Sequence, residues 1–201
     1  MNKGMYGYIG WRRKMQALFL FAVILAAGII FIIGLLCNKM SPQNIFSVLA
    51  ALFILPGAHF LTQLLLLIPY KSPDKEKYEQ LQTLMTGEMV LFSDLVLTSP
   101  EHVMNLDFAV LNKDRLIVLT GGRKQDTAYL KEYLTKTLTN WGNGQTLHFW
   151  ENYDAFLQDV KKEVKKAENG KKETKKAGNG KKEDSAAAIQ AVSNYLLSQV
   201  V

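Results

Sequence analysis

Two uninterrupted apolar runs, Met15 to Cys37 and Ile45 to Ile68, constrain this chain more than any other feature of its 201 residues. Neither run contains Asp, Glu, Lys or Arg. As a helix, each rises about 35 Å, enough to cross a hydrocarbon core of about 30 Å. Only residues 38–44 separate them. A link that short allows one arrangement, an antiparallel hairpin of two membrane spans.

Charge sets the expected orientation. Lys3, Arg12, Arg13 and Lys14 precede the first span, and Lys71, Lys75 and Lys77 follow the second. The connecting loop carries only Lys39. Basic residues resist translocation, so a multi-pass protein of the cell membrane with both ends cytoplasmic is expected. Trp11 and Tyr70 belong at one membrane face, where amphipathic rings favour the interface, with Arg12, Arg13, Lys14 and Lys71 beside them. Residues 1–14, with Tyr6 and Tyr8, are expected as an arm lying along that surface.

A signal peptide is a poor match to the first run. The run is longer than a typical apolar core of about 7–15 residues, and no small-x-small cleavage site follows. Gly34-Leu35-Leu36-Cys37 is a poor lipoprotein box, because Leu36 is bulky where such boxes need a small residue. The second run holds Pro56, His59 and Gln63. An intramembrane His is a candidate proton or ion site. Two spans with one neutral imidazole make a poor transporter, so a Pro-kinked helix is expected, with His59 and Gln63 hydrogen-bonded to the first span or to a partner.

The net charge of +6 is unevenly spread. Residues 161–184 hold ten Lys against five acids, whereas Tyr70 to Val160 has nine basic residues against thirteen acidic ones. An acidic middle domain is a poor grip for a phosphate backbone, so specific nucleic-acid binding is not expected. A single Cys excludes an intramolecular disulfide and a Cys-based zinc cage.

The middle domain, 72–165, reads as alternating helices and strands. Ser72-Pro73 starts a helix carried by Tyr78, Leu81, Leu84 and Met85, and Gly87 ends it. Met89 to Thr98, with a bend at Ser93-Asp94, and His102 to Leu111 are strands joined to a third, Arg115 to Thr120. That third strand is apolar throughout and should be internal. Asp126 caps a helix to about Trp141. The Gly142-Asn143-Gly144 turn leads to a fourth strand, Gln145 to Trp150, and a last helix carries Tyr153, Phe156, Leu157, Val160 and Val164. The order αβββαβα predicts an α/β (α+β) domain on a four-stranded mixed sheet. Residues 166–184 repeat a Lys/Glu/Gly unit and read as a disordered basic linker. Residues 185–201 read as a short amphipathic helix through Ile189, Val192, Leu196 and Val200, free to dock on a partner, the domain or the membrane.

The order of elements over residues 74–150 resembles the αβββαβ core of the restriction-endonuclease-like superfamily, particularly its nuclease-related branch. Leu106-Asp107-Phe108-Ala109-Val110-Leu111 is similar to that family's second-strand motif. The resemblance places Asp107 in a metal-binding position, with an E-x-K on the third strand. Carboxylates there hold a divalent metal and the Lys orients water. Here Thr120 stands in place of the Glu and Gly122 in place of the Lys. Arg123 and Lys124 follow at the wrong spacing. The resemblance therefore implies a fold that has lost its nuclease chemistry; an altered metal site would use Asp107 with Asp94 or Glu88. The whole chain also resembles small two-span membrane proteins of Gram-positive anaerobes, some labelled O-linked GlcNAc transferase-like. No 34-residue helical repeat is present to support that label.

Other motifs are bland. Gly121-Gly122-Arg123-Lys124 lacks phosphate-loop spacing. His102 and His148 have no acids at ligand spacing and read as ordinary strand residues. No cofactor is expected. The sequence thus points to a non-enzymatic membrane-anchored adaptor or scaffold. Its expected partners are the bilayer, a protein, and weakly, through the Lys-rich tail, anionic lipid. The rival is a metal-dependent nuclease with an altered site.

Overall fold

A computed structural model describes residues 1–86, 89–99, 101–122, 125–141, 145–173 and 180–201. They form two compact units. One is Ile9–Lys71; the other joins Met1–Tyr8 to Ser72–Val201.

The first unit is a helical hairpin. It contains α1 (Tyr8–Cys37), α2 (Ile45–Leu52) and α3 (Ile54–Leu67). By length and composition, α1 and the α2–α3 pair are each long and apolar enough to cross a membrane. Their apolar side chains are largely exposed: Leu36, Ile45, Ile54 and Leu55 are each about 70 % accessible. Lys39 and Met40, at φ +50° and +63°, reverse the chain. Asn44 then caps α2, its side chain accepting from the Ser47 amide at 3.0 Å. The helix breaks at Phe53, one turn before Pro56. Proline has no amide hydrogen for the Leu52 carbonyl four residues back, so the ladder is interrupted there, and Pro56 falls in the first turn of α3. Across the hairpin a Cβ on Gly34 would meet that of Phe46 at 2.5 Å, and Phe19 stacks on Phe60 with ring centroids 5.4 Å apart.

The second unit is a three-layer sandwich. Its elements are α4 (Lys75–Leu84), β1 (Val90–Thr98), β2 (Val103–Leu111), β3 (Arg115–Thr120), α5 (Thr127–Trp141), β4 (Thr146–Trp150), α6 (Tyr153–Glu173) and α7 (Gly180–Ser198). The sheet order is β1-β2-β3-β4. The first three strands are antiparallel, and β4 joins β3 in parallel after the α5 crossover. The sheet is therefore mixed, and β3 is internal. Its residues alternate between two cores. Leu116 and Val118 pack with Leu130 and Leu134 of α5 and with Val192 and Leu196 of α7. Ile117 and Leu119 pack on the opposite face with Leu81 of α4 and Phe156 and Val160 of α6.

Both ends of the chain are stitched to the free edge of β1. The Ser93 amide donates to the Gly4 carbonyl at 2.9 Å, the Thr98 amide to the Gln199 carbonyl at 3.1 Å, and the Val201 amide to the Val96 carbonyl at 3.2 Å. An edge strand covered in this way offers few unpaired groups to another chain.

Several expectations are corrected here. The arm 1–14 does not lie free along a surface: α1 begins at Tyr8, and Met1–Tyr8 belong to the second unit. Gly4 and Gly7, at φ +78° and +80°, supply the left-handed turns that fold this segment, and Tyr8 is buried in the core. Asp74, not Ser72, caps α4, accepting from the Glu76 amide at 3.1 Å. The last domain helix does not stop near 165, because Lys, Glu and Ala are good helix formers and continue α6 to Glu173. Part of the expected linker, 174–179, lies outside the described residues, as do Gly87 and the Gly142-Asn143-Gly144 turn. The amphipathic segment of α7 docks on its own domain, burying Ile189, Val192, Leu196 and Val200.

Candidate functional site

The site begins with an irregularity in two strands. Ser93 pairs with Phe108, and Leu95 with Leu106, which leaves Asp94 and Asp107 between these pairs. Asp94 has φ +57°, a left-handed conformation that Asp tolerates better than most side chains. On β2, the register to β3 shifts between Leu106 and Phe108, so Asp107 is the additional residue of a bulge. As a result Phe92 and Leu95 face the same core although three residues apart, as do Leu106 and Ala109. Bulges of this kind re-aim side chains.

Here the bulge turns two carboxylates toward one end of the sheet. Asp94 is fully buried, and its Oδ2 accepts from the Ser72 hydroxyl at 3.0 Å. Asp107 accepts from the Asn105 side-chain amide at 3.3 Å. Burial pushes the Asp107 carboxyl up to about 6 and the charge of Asp94 adds to the rise, while the Asn105 hydrogen bond and Lys77 oppose it. The neighbouring backbone is fixed by Gln125, which donates to the Asn105 carbonyl and accepts from its amide, both at 2.8 Å. Gly121 has no room for a side chain: a Cβ there would lie 1.9 Å from Asn105 Nδ2 and 3.0 Å from Asp107 Oδ1.

In front of Asp107 lies a cleft of about 360 Å³, lined among others by Asp74, Lys77, Asp107, Thr120, Glu151 and Tyr153. Lys77 Nζ sits 4.9 Å from the centre of the Tyr153 ring, and the Tyr153 hydroxyl donates to Gln80 Oε1 at 2.8 Å. Burial raises the Tyr153 hydroxyl's pKa, and Asp154 and Asp74 raise it further. Three acids face one Lys around an aromatic ring. Such a cleft suits a basic or hydrogen-bonding group of a ligand. It also holds a carboxyl that changes charge not far below neutral pH.

Of the residues singled out from sequence, Asp107 lines the cleft, and Thr120 and Gly122 line it too. The two positions where the resemblance places Glu and Lys are thus beside Asp107, occupied by a hydroxyl and a hydrogen. Asp94 lies behind Asp107, buried, and is not part of the lining. Glu88, Arg123 and Lys124 lie outside the described residues. Among the described residues no group of three or more His, Cys, Asp or Glu is placed to hold a metal ion. Asp74, Lys77 and Glu151 were not foreseen as site residues, and Tyr153 reads from the sequence as core packing rather than as a ligand-stacking ring. They converge from α4, the end of β4 and the start of α6, and no local motif signals that.

The remaining candidates have structural partners. His148 Nδ1 lies 2.7 Å from Asp159 Oδ2, which also accepts from Trp150 Nε1 at 3.0 Å. Burial raises the pKa of Asp159, but the hydrogen bonds from Trp150 and His148 outweigh it and hold the carboxyl below its usual range. In the hairpin, Gln63 Oε1 accepts from Arg12 Nη2 at 3.2 Å and contacts the Gln16 amide, while Gln63 Nε2 lies 3.2 Å from His59 Nε2. The His59–Gln63 pair is therefore tied to α1. Trp11, Arg12, Arg13 and Lys14 fall in the first turns of α1, and Tyr70 and Lys71 follow α3.

No protein-family model, no curated protein and no solved structure matches this chain.

Proposed function

We propose that this chain is a membrane-anchored, non-enzymatic adaptor of the cell membrane, with both ends cytoplasmic. Its α+β domain uses the Asp107–Lys77–Tyr153 cleft to hold a short polar or basic segment of a protein partner. One observation carries this reading. In the cleft, Thr120 and Gly122 stand beside Asp107 at the two positions where the resemblance places a nuclease's Glu and Lys, and a Lys that approaches an aromatic ring shares the lining with Asp74 and Glu151. Asp94 is buried with the Ser72 hydroxyl on it, which removes it as the partner of Asp107 in a two-carboxylate metal site. The two apolar helices, with their exposed Leu, Ile and Phe side chains, support the anchor. The order of α4, the first three strands, α5 and β4 supports the resemblance to a restriction-endonuclease-like core, and fold alone assigns no activity.

The test uses the full chain in detergent, because Met1–Tyr8 and α7 are part of the domain. DNA is incubated with it and Mg²⁺ or Mn²⁺, and proteins captured by crosslinking in native membranes are compared between wild type and Asp107→Lys. The adaptor reading expects no cleavage and a partner lost in Asp107→Lys. Metal-dependent cleavage abolished by Asp107→Ala would overturn it in favour of the nuclease.

A further inference from the structure

The geometry points to a second copy of this chain as the partner of α3, through a face centred on His59 and Thr62. The inference rests on the membrane-anchored reading. In the 23-residue stretch Ile45–Leu67, His59 stands eight residues from the Leu67 end. At the helical rise that is about 12 Å, too deep for an imidazole to reach water.

The position of this His is fixed by its neighbours. Gln63 is tied to α1 through Arg12 and Gln16, and its side-chain amide lies 3.2 Å from His59 Nε2. The amide meets Nε2 with its NH₂ or with its oxygen according to the ring's tautomer, so Nδ1 is the nitrogen left over in either case. Gln63 is the one hydrogen-bond partner of His59 among the described residues. Nδ1 is a polar atom still in need of a partner.

One turn further on, the Thr62 hydroxyl donates to the Ala58 carbonyl at 2.8 Å. Its oxygen keeps lone pairs to accept with. His59, Thr62 and Ala58 are all exposed. Their face turns away from α1, which meets the other side of the helix through Phe60 and Gly57: Phe60 stacks on Phe19, and a Cβ on Gly57 would lie 3.6 Å from Val23.

A ring nitrogen and a hydroxyl, which both accepts and donates, are self-complementary when one turn apart on one helix face. A twofold axis sets each His59 Nδ1 against the other copy's Thr62 hydroxyl, so one contact made twice satisfies all four groups. In hydrocarbon the alternative is an unsatisfied polar group. Ala58 and Thr62, small residues four apart, let the two helices approach. A partner of different sequence would have to supply both groups in matching register, whereas a second copy already carries them.

The experiment is oxidative crosslinking of the full chain in native membranes, in a Cys37→Ser background, with a single new cysteine. Leu55→Cys lies on the His59 face and Leu61→Cys on another exposed face; two differently tagged copies are co-expressed. The expected result is a band of twice the chain mass, carrying both tags, from Leu55→Cys and at least fivefold less from Leu61→Cys. Adding His59→Leu or Thr62→Val should each reduce the Leu55→Cys band severalfold. Both replacements favour lipid, so hairpin insertion survives them, and resistance to alkaline extraction checks this. No Leu55→Cys dimer, equal dimer from both faces, or a crosslink to a protein of another mass overturns the second copy. Release of the parent chain by alkaline extraction overturns the membrane reading itself, a separate outcome.

Discussion

Asp107 is held where its charge is costly. Its carboxyl is raised to about 6 mainly by burial, and Asp94 behind it adds to the cost. An unfolded Asp titrates near 3.9. Between those values the folded chain holds a proton that the unfolded chain has released. The stability tied to this group is therefore fully present below about pH 4 and is lost as the pH rises through about 6. Asp107→Asn removes the titration. It should stabilise the domain by about 1–2 kcal/mol at pH 8, after allowance for the part of the side chain in solvent, and by almost nothing at pH 4. Denaturant unfolding of the full chain in detergent at both pH values measures this; equal effects at both would show that Asp107 is not the group responsible. Gly4 makes a second prediction at this scale. Its φ is +78°, and a Cβ would lie 2.8 Å from Leu197 Cδ2 and 2.9 Å from Phe92 Cδ1. Gly4→Ala pairs backbone strain with overpacking and should cost about 1–3 kcal/mol. Amide exchange at Ser93, whose hydrogen bond goes to the Gly4 carbonyl, should accelerate with it. Asp107 was legible only through the resemblance of Leu106–Leu111 to a second-strand motif, because one carboxylate within an apolar strand names no chemistry by itself. Lys77 was not, because it is an ordinary residue of a helix and only the fold brings it to Tyr153.

Elements with one strong local period were legible, and elements whose status depends on a distant surface were not. The run Leu116-Ile117-Val118-Leu119 has no polar face, which is enough to make β3 internal. The same logic found the Ile189, Val192, Leu196 stripe of α7, but the stripe does not say what it meets. It meets the sheet, beside α5, and Val200 beyond it reaches β1 through the bridge to Leu97. The reach of α6 past residue 165 was missed because Lys-rich composition was weighed as disorder. Glu163 anchors that stretch, paired with Arg115 at 3.0 Å and Lys166 at 2.9 Å. The irregularity at Asp94 was visible as a polar pair inside a strand, though its purpose, to aim Asp107, was not. Because α7 forms part of one core, a charge at Val192 has no solvent to turn to. Val192→Asp should cost about 3–5 kcal/mol, much of a typical domain's stability. Limited proteolysis should then cut between α6 and α7 and within α7 far faster than in the parent. A Val192→Asp chain as protease-resistant as the parent would show that α7 does not belong to the core.

At the scale of the whole molecule, the order of units along the chain limits what a membrane can do with it. The segment Met1–Tyr8 and the segment Ser72–Val201 build one compact unit. A folded unit occupies one side of a membrane. On the proposed membrane reading the residues between cross an even number of times, and two helices of sufficient length and apolarity lie there. This supports the hairpin expected from the short link 38–44 by a route that uses no charge at all. Charge supplies what packing cannot, the choice of side. Arg12, Arg13, Lys14 and Lys71 flank the apolar helices, against Lys39 alone in the loop, and this asymmetry supports the proposal of a cytoplasmic unit. In a Cys37→Ser background, Ser41→Cys should react with a membrane-impermeant thiol reagent applied to intact cells. Lys162→Cys, on the exposed face of α6, should react only after the cells are opened. Labelling of both sites in intact cells would mean that the units do not lie across a membrane from the loop. Labelling of Lys162→Cys alone would put the domain outside, and basic flanks would then have failed to set the orientation of a hairpin whose two ends share one fold.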